Sequence, residues 1–198
     1  FQRRVVEVVY VPADRAEDWI VETRPEQIIA VYGPDGEAFL RQVQGEVSTV
    51  EPSVRAYPAG VRTYGDVAQP MDMYRDDYDE MPRDPAQLLA WFQERAPGNY
   101  AGLEILNALH QNLPPADVRA ALLGALALLP EITLVAESGE LATIEWVAPE
   151  TRQQFVVNVR TGMLVSVIDP QRHPSDIVPA GLPDGVQTFE MSIVDSAP

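Results

Sequence analysis

Cysteine and lysine are both missing from these 198 residues, and only two histidines are present. Without cysteine there is no disulfide framework, no zinc–thiolate site and no cysteine nucleophile. Without lysine there is no Schiff-base chemistry and no lysine to cradle a phosphate. The nucleophile elbow G-x-S-x-G, the pair S-x-x-K, the zinc helix H-E-x-x-H and the phosphate-binding glycine loop are also absent. No apolar run reaches the roughly 20 residues that a membrane-spanning helix needs. No signal-peptide pattern is read within these residues. Phe1 opens directly into strand-like sequence. We expect a chain cut from a longer protein, with any membrane anchor in the part that precedes it.

What is abundant is negative charge. Thirty acidic residues face 14 arginines, for a net charge of −16. The most acidic stretches are residues 72–84 and 131–150. Such a surface lacks the cations that would neutralise phosphates, which argues against nucleic acid and against anionic membrane as partners. It suits cations or basic partners. Arginine in place of lysine, with much Ala, Val, Pro, Asp and Glu, points to a GC-rich coding bias and to nothing mechanistic. A length of 198 residues suits a single domain spanning 1–198, or one with a small lobe. Such a chain can bury roughly 70% of its unfolded surface without metal or disulfide.

The order of elements predicts the fold class. Residues 1–50 read as strands: RRVVEVVYV at 3–11, then DWIVET at 18–23. QIIAVY (27–32) and EAFLRQV (37–43) flank Gly33-Pro34-Asp35-Gly36, which predicts a hairpin. Residues 51–84 form a Pro/Gly-rich loop, with one short strand at most, and an acidic connector. Residues 85–129 carry three helices. Asp84 caps the first ahead of Pro85, with Leu88, Leu89, Trp91 and Phe92 toward a core. Pro97-Gly98 stops it and Asn99 caps the second, built on Leu103, Ile105, Leu106 and Leu109. The third, starting at Pro115, is apolar nearly all round from Val118 to Leu129 and should be central and buried. Residues 132–194 then give a β-meander and a final strand: 132–136, 141–148, 153–159, 163–169 and 186–194, with a tight turn at Thr161-Gly162. Strands, helices, strands in that order predict an α+β domain: an antiparallel curved sheet from both chain ends packed around a central block of three helices.

Few residues offer chemistry. The run Asp72, Asp76, Asp77, Asp79, Glu80 lacks the alternating ligand spacing and central glycine of a calcium loop, and reads as a solvated connector. His110 lies near a helix end and His173 in a proline-rich loop, neither with a ligand partner at helical spacing. Thirty acids offer many glycosidase-like carboxylate pairs and therefore no signal. Trp19, Trp91, Trp146 and Phe92 read as core anchors. A sheet curved over an apolar helix can also enclose a cavity, and Trp91, Leu122 and Leu126 are the wall residues it would use for an apolar ligand. No catalytic residue, metal ligand or cofactor is assigned.

Three segments carry a resemblance. Pro82-Arg83-Asp84-Pro85-Ala86-Gln87-Leu88-Leu89 opens a helix. Leu113 to Leu122 (LPPADVRAAL) followed by Ala125 to Pro130 (ALALLP) forms the central one. Arg160 to Leu164 (RTGML) makes a late β-turn. Together, over about residues 82–170, they resemble an uncharacterised actinobacterial family of membrane-anchored proteins with an extracytoplasmic C-terminal domain, often linked with sigma-factor regulation. The chain departs from the family pattern at Pro130-Glu131, where the family has Pro-Gly, and at Val159-Arg160, where it has Asp-Pro. The resemblance implies an outward-facing domain whose anchor lies upstream, and it carries over no site residue. More loosely, the layout is similar to the half-barrels of lipoprotein carriers and envelope-stress sensors, a likeness of fold that assigns no function. The expectation is a non-enzymatic extracytoplasmic sensory or protein-interaction domain with a protein partner at the cell envelope. The alternative is a carrier or sensor of a lipid or other apolar ligand held between sheet and helices.

Overall fold

The computed structural model describes residues 2–43, 52–64, 66–96, 100–148, 151–170, 179–183 and 185–190. Their contacts divide the chain into two compact units: the residues up to Met71 with part of 171–182, and Asp72–Pro170 with part of 183–191. The fold is α+β, with four helices and three open antiparallel sheets.

In the first unit, β1 (Gln2–Tyr10), β2 (Trp19–Ala30) and β3 (Ser53–Tyr57) pair in that order, so β2 is bonded on both sides. A 3-10 turn (Pro58–Gly60) leads into the hairpin of β4 (Val61–Tyr64) and β5 (Val67–Pro70). Trp19 and Val21 are buried on β2. Gly60 sits at φ +70, and a Cβ there would lie 2.6 Å from the Trp19 ring. Only glycine tolerates both the left-handed backbone and that contact. Arg62 on β4 reaches Glu7 on β1 at 2.5 Å, and its guanidinium lies 5.3 Å from the centre of the Tyr57 ring, tying the hairpin to the sheet.

Two expectations are corrected in this unit. The hairpin around residues 33–36 is instead the start of a helix, α1 (Gly33–Val43). Pro34 and Asp35 suit a helical first turn as well as a β-turn, and Glu37 and Arg41 form an i,i+4 pair. The stretch 27–30 completes the long β2 instead of founding a new strand. The segment 51–70 holds three short strands where a loop with one was expected.

In the second unit, α2 (Pro85–Arg95), α3 (Ala101–His110) and α4 (Ala116–Leu126) pack on a five-stranded sheet. The Asp84 carboxylate accepts from the Gln87 amide at 2.9 Å, as the capping pattern requires. The Pro97-Gly98 stop and the Asn99 cap lie outside the described residues. β6 (Ile132–Ser138), β7 (Leu141–Ala148), β8 (Thr151–Asn158) and β9 (Met163–Asp169) form the expected meander, and β10 (Gly185–Thr188) adds beyond β9. Residues 191–194 of the expected last strand lie outside the described residues.

One part of the expected architecture is corrected. Among the described residues the two chain ends do not share a sheet: β1, β2 and β3 pair only with one another. Neighbours in sequence close short loops, which cost less entropy than joining ends more than 100 residues apart.

The core of this unit joins Leu88, Phe92, Ile105, Val118, Leu122 and Leu126 from the helices to Trp146, Phe155, Val157 and Leu164 from the sheet. Helices α2 and α4 approach closely at Gly124, where a Cβ would meet the Pro85 ring at 2.7 Å. Two polar ties join the helical layer to the sheet. Asn112, at φ +55 just past α3, donates to the Leu164 carbonyl and accepts from the Leu164 amide, both at 2.7 Å. Arg119 donates to the Thr161 carbonyl through Nε and Nη2 and to the Pro114 carbonyl through Nη1.

Leu122→Ala is expected to cost about 2–5 kcal/mol in urea denaturation, because its whole side chain is enclosed; a loss under about 1 kcal/mol would place it at the surface. Asn112→Ala is expected to cost about 1–3 kcal/mol by the same measurement, because it strands a buried amide and carbonyl on β9.

Candidate functional site

Trp91, Leu122 and Leu126 come together in one core, but as packing residues. Leu122 and Leu126 retain 0% and 1% of their accessible surface, so both are enclosed by the side chains packed around them. Trp91 is half-buried. It meets Phe92 edge-on at 4.9 Å, and the Arg95 guanidinium lies 3.6 Å over its ring. Phe92 in turn meets Tyr74, whose hydroxyl donates to the Glu104 carboxylate. Burial, then that carboxylate, raises the Tyr74 pKa well above its ordinary value.

The acidic connector forms a series of turns between residues 71 and 81. Asp72 is buried and accepts from the Tyr78 hydroxyl at 2.6 Å, while Asp76, Asp79 and Glu80 are exposed. Among the described residues no group of three or more His, Asp or Glu side chains is placed to hold a metal ion. Likewise, no helix there is long and apolar enough to cross a membrane. His110 faces Gln187 at 3.2 Å and Phe189 edge-on at 4.9 Å, which fastens the last strand to α3. His173 lies outside the described residues.

The surface with features that packing does not consume is the β6–β7 side of the sheet. Strand β6 is an edge: among the described residues its outer side pairs with no other strand. All its residues after Ile132 are exposed, including Leu134 at 57% and Val135 at 46%. An unpaired edge presents free backbone N–H and C=O groups, the usual template for adding a strand. A register shift between Leu134 and Ala136 makes Val135 a bulge. Across the ladder Ile132 lies opposite Trp146, Leu134 opposite Ile144 and Glu137 opposite Ala142. Trp146, Ile144 and Ala142 all belong to or pack on the core, so this row of β6 lies on the helix side of the sheet. The exposed Leu141 and Val147 sit at the two ends of β7.

On β7, Glu145 is 93% enclosed, with 7% of its surface accessible, and it lies directly opposite Gln154 on β8. One of its oxygens accepts from Arg152 Nε and Gln154 Nε2, each at 2.9 Å, and forms an ion pair with Arg152 Nη2 at 2.9 Å. These hydrogen bonds outweigh desolvation and hold the Glu145 pKa below the ordinary glutamate value. Arg160 and Asn158 do the same for Glu140.

The sequence reading did not single out Leu134, Val135 or the Glu145–Arg152–Gln154 group. The hairpin spacing around residues 149–150 would have found the second: pairing 148 with 151 puts 145 opposite 154. The first had no comparable signal, since ITLVA suits a central strand as well as an edge. Comparison with protein-family models, curated proteins and solved structures returns no match.

Because Glu145 titrates lower in the folded than in the unfolded chain, its pairing stabilises above the ordinary glutamate pKa of about 4.3 and is lost as pH falls through the lower folded value. Glu145→Gln is therefore expected to flatten the acid limb of a Tm-against-pH profile; an unchanged limb would remove Glu145 from the acid response.

Proposed function

We propose that the chain is a non-enzymatic sensory or protein-interaction domain, displayed outside the cytoplasm by a membrane-anchored protein. The observation that carries this reading is the edge strand β6 of the second unit, whose outer side pairs with no other strand among the described residues and which exposes Leu134 and Val135 at its centre. An unpaired strand edge with exposed aliphatic side chains favours contact with another macromolecule.

The acids and tyrosines whose titration is shifted support the non-enzymatic part. Glu22, Asp117, Glu140 and Glu145 are shifted down, and Tyr10 and Tyr74 up, each away from the neutral range where a general acid or base works. The membrane anchor and the extracytoplasmic placement rest on the resemblance of residues 82–170 to the actinobacterial family. The carrier reading draws less support, since two of its three wall residues are already enclosed by protein.

The purified chain is expected to turn over none of a panel of nitrophenyl esters and glycosides, and to keep a mass of 21.9 kDa in native mass spectrometry before and after organic extraction. Turnover well above a protein blank would overturn the non-enzymatic reading. Extra mass lost on extraction would favour the carrier instead.

A further inference from the structure

We infer that the free edge of β6 receives an extended, basic segment of a partner protein as an added strand, an assignment that rests on the interaction reading above. Backbone geometry supplies the first argument. β6 is seven residues long, its outer side is unpaired among the described residues, and six of those seven residues are exposed. Strand addition uses such an edge: main-chain hydrogen bonds give affinity and alternate side chains give selectivity.

Side-chain placement supplies the second. Ile132 and Leu134 share the helix side of the edge, so an added strand would set apolar residues beside them and cover the Leu134 surface. Glu137 continues the same row.

Charge supplies the third and selects the occupant. Residues 131–150 hold five glutamates and no arginine. Glu140 and Glu145 are engaged by Arg160 and Arg152, while Glu131 and Glu137 make no ion pair among the described residues. With a net charge of −16 over the chain, a second copy is repelled from this edge and a basic segment is attracted.

The test uses the whole chain and two synthetic peptides, one alternating arginine with valine and one alternating glutamate with valine, each titrated at low and high salt. Hydrogen exchange read by mass spectrometry locates the contact. The arginine peptide is expected to bind, to slow amide exchange within residues 132–138, and to weaken with added salt. The glutamate peptide is expected not to bind. Leu134→Arg, a change at an exposed position, is expected to weaken binding by about tenfold or more, as losing one buried leucine contact and adding a like charge requires.

Unchanged exchange across 132–138 at saturating arginine peptide overturns the edge assignment. So does equal binding by Leu134→Arg. Protection on another element also overturns it, while leaving the interaction reading intact. A chain of doubled mass that Leu134→Arg returns to single mass would make a second copy the occupant and overturn the basic segment. Failure of the interaction reading itself shows separately, as substrate turnover or extractable mass with no peptide present.

Discussion

Helix α4 has almost no polar face to turn outward: after Asp117 and Arg119, every residue from Ala120 to Leu126 is alanine, leucine or glycine. It must be covered on several sides at once, and the second unit is arranged around that need. α2 covers it closely at Pro85–Gly124, α3 lies alongside, and the sheet brings Trp146, Phe155, Val157 and Leu164 to the same core. Burial of this kind is strong but has no preferred register, since apolar surface is attracted to apolar surface without direction. Asn112 and Arg119 supply the direction. Each binds the backbone of β9 or of the turn before it; sliding the helices along the sheet would break the part-buried Arg119 bonds and leave the buried polar atoms at Asn112 unpaired.

That division of labour bears on function. Tyr74 is engaged with Glu104, Arg83 with Asp117 and with carbonyls of its own loop, and Glu145 with Arg152 and Gln154. Among the described residues, β6 keeps an unpaired backbone edge, with Leu134 and Val135 exposed on it. That edge, with acidic charge nearby, is what supports the interaction reading proposed above.

Local signals made much of this fold legible. Asp84-Pro85 marked α2 because a cap and a fixed φ act over three residues, and Thr161-Gly162 marked the β8–β9 turn for the same reason. Strands β7 and β9 were read to the residue, because alternation and flanking turns agreed there. α1 was misread because Gly-Pro-Asp-Gly serves a helix start and a hairpin equally; the choice lies in packing that four residues do not encode. The sharing of a sheet by the two chain ends was misread because strand patterns say which residues pair, never with whom. The candidate edge was illegible for a related reason. Whether ITLVA lies inside a sheet or at its rim depends on how many strands follow and where the last one docks, and β10 docks on the opposite side, against β9.

An exposed edge with leucine and valine is a hazard as well as an opportunity, because any strand can extend it. Two features of β6 bear on this. The bulge at Val135 breaks the even ladder, so a flat strand in uniform register fits poorly. The surrounding glutamates, with no arginine between residues 131 and 150, make an identical edge a poor partner, since each copy brings the same charges. Both features oppose indiscriminate pairing, yet neither removes the hydrogen-bonding groups. Proteins that only need to hide an edge can do so with lysine, proline or a covering loop, whereas β6 keeps aliphatic side chains at its centre. An edge guarded by charge of one sign is closed to its own kind and open to the opposite charge. Selection by partner chemistry is what distinguishes a binding edge from one that is merely tolerated.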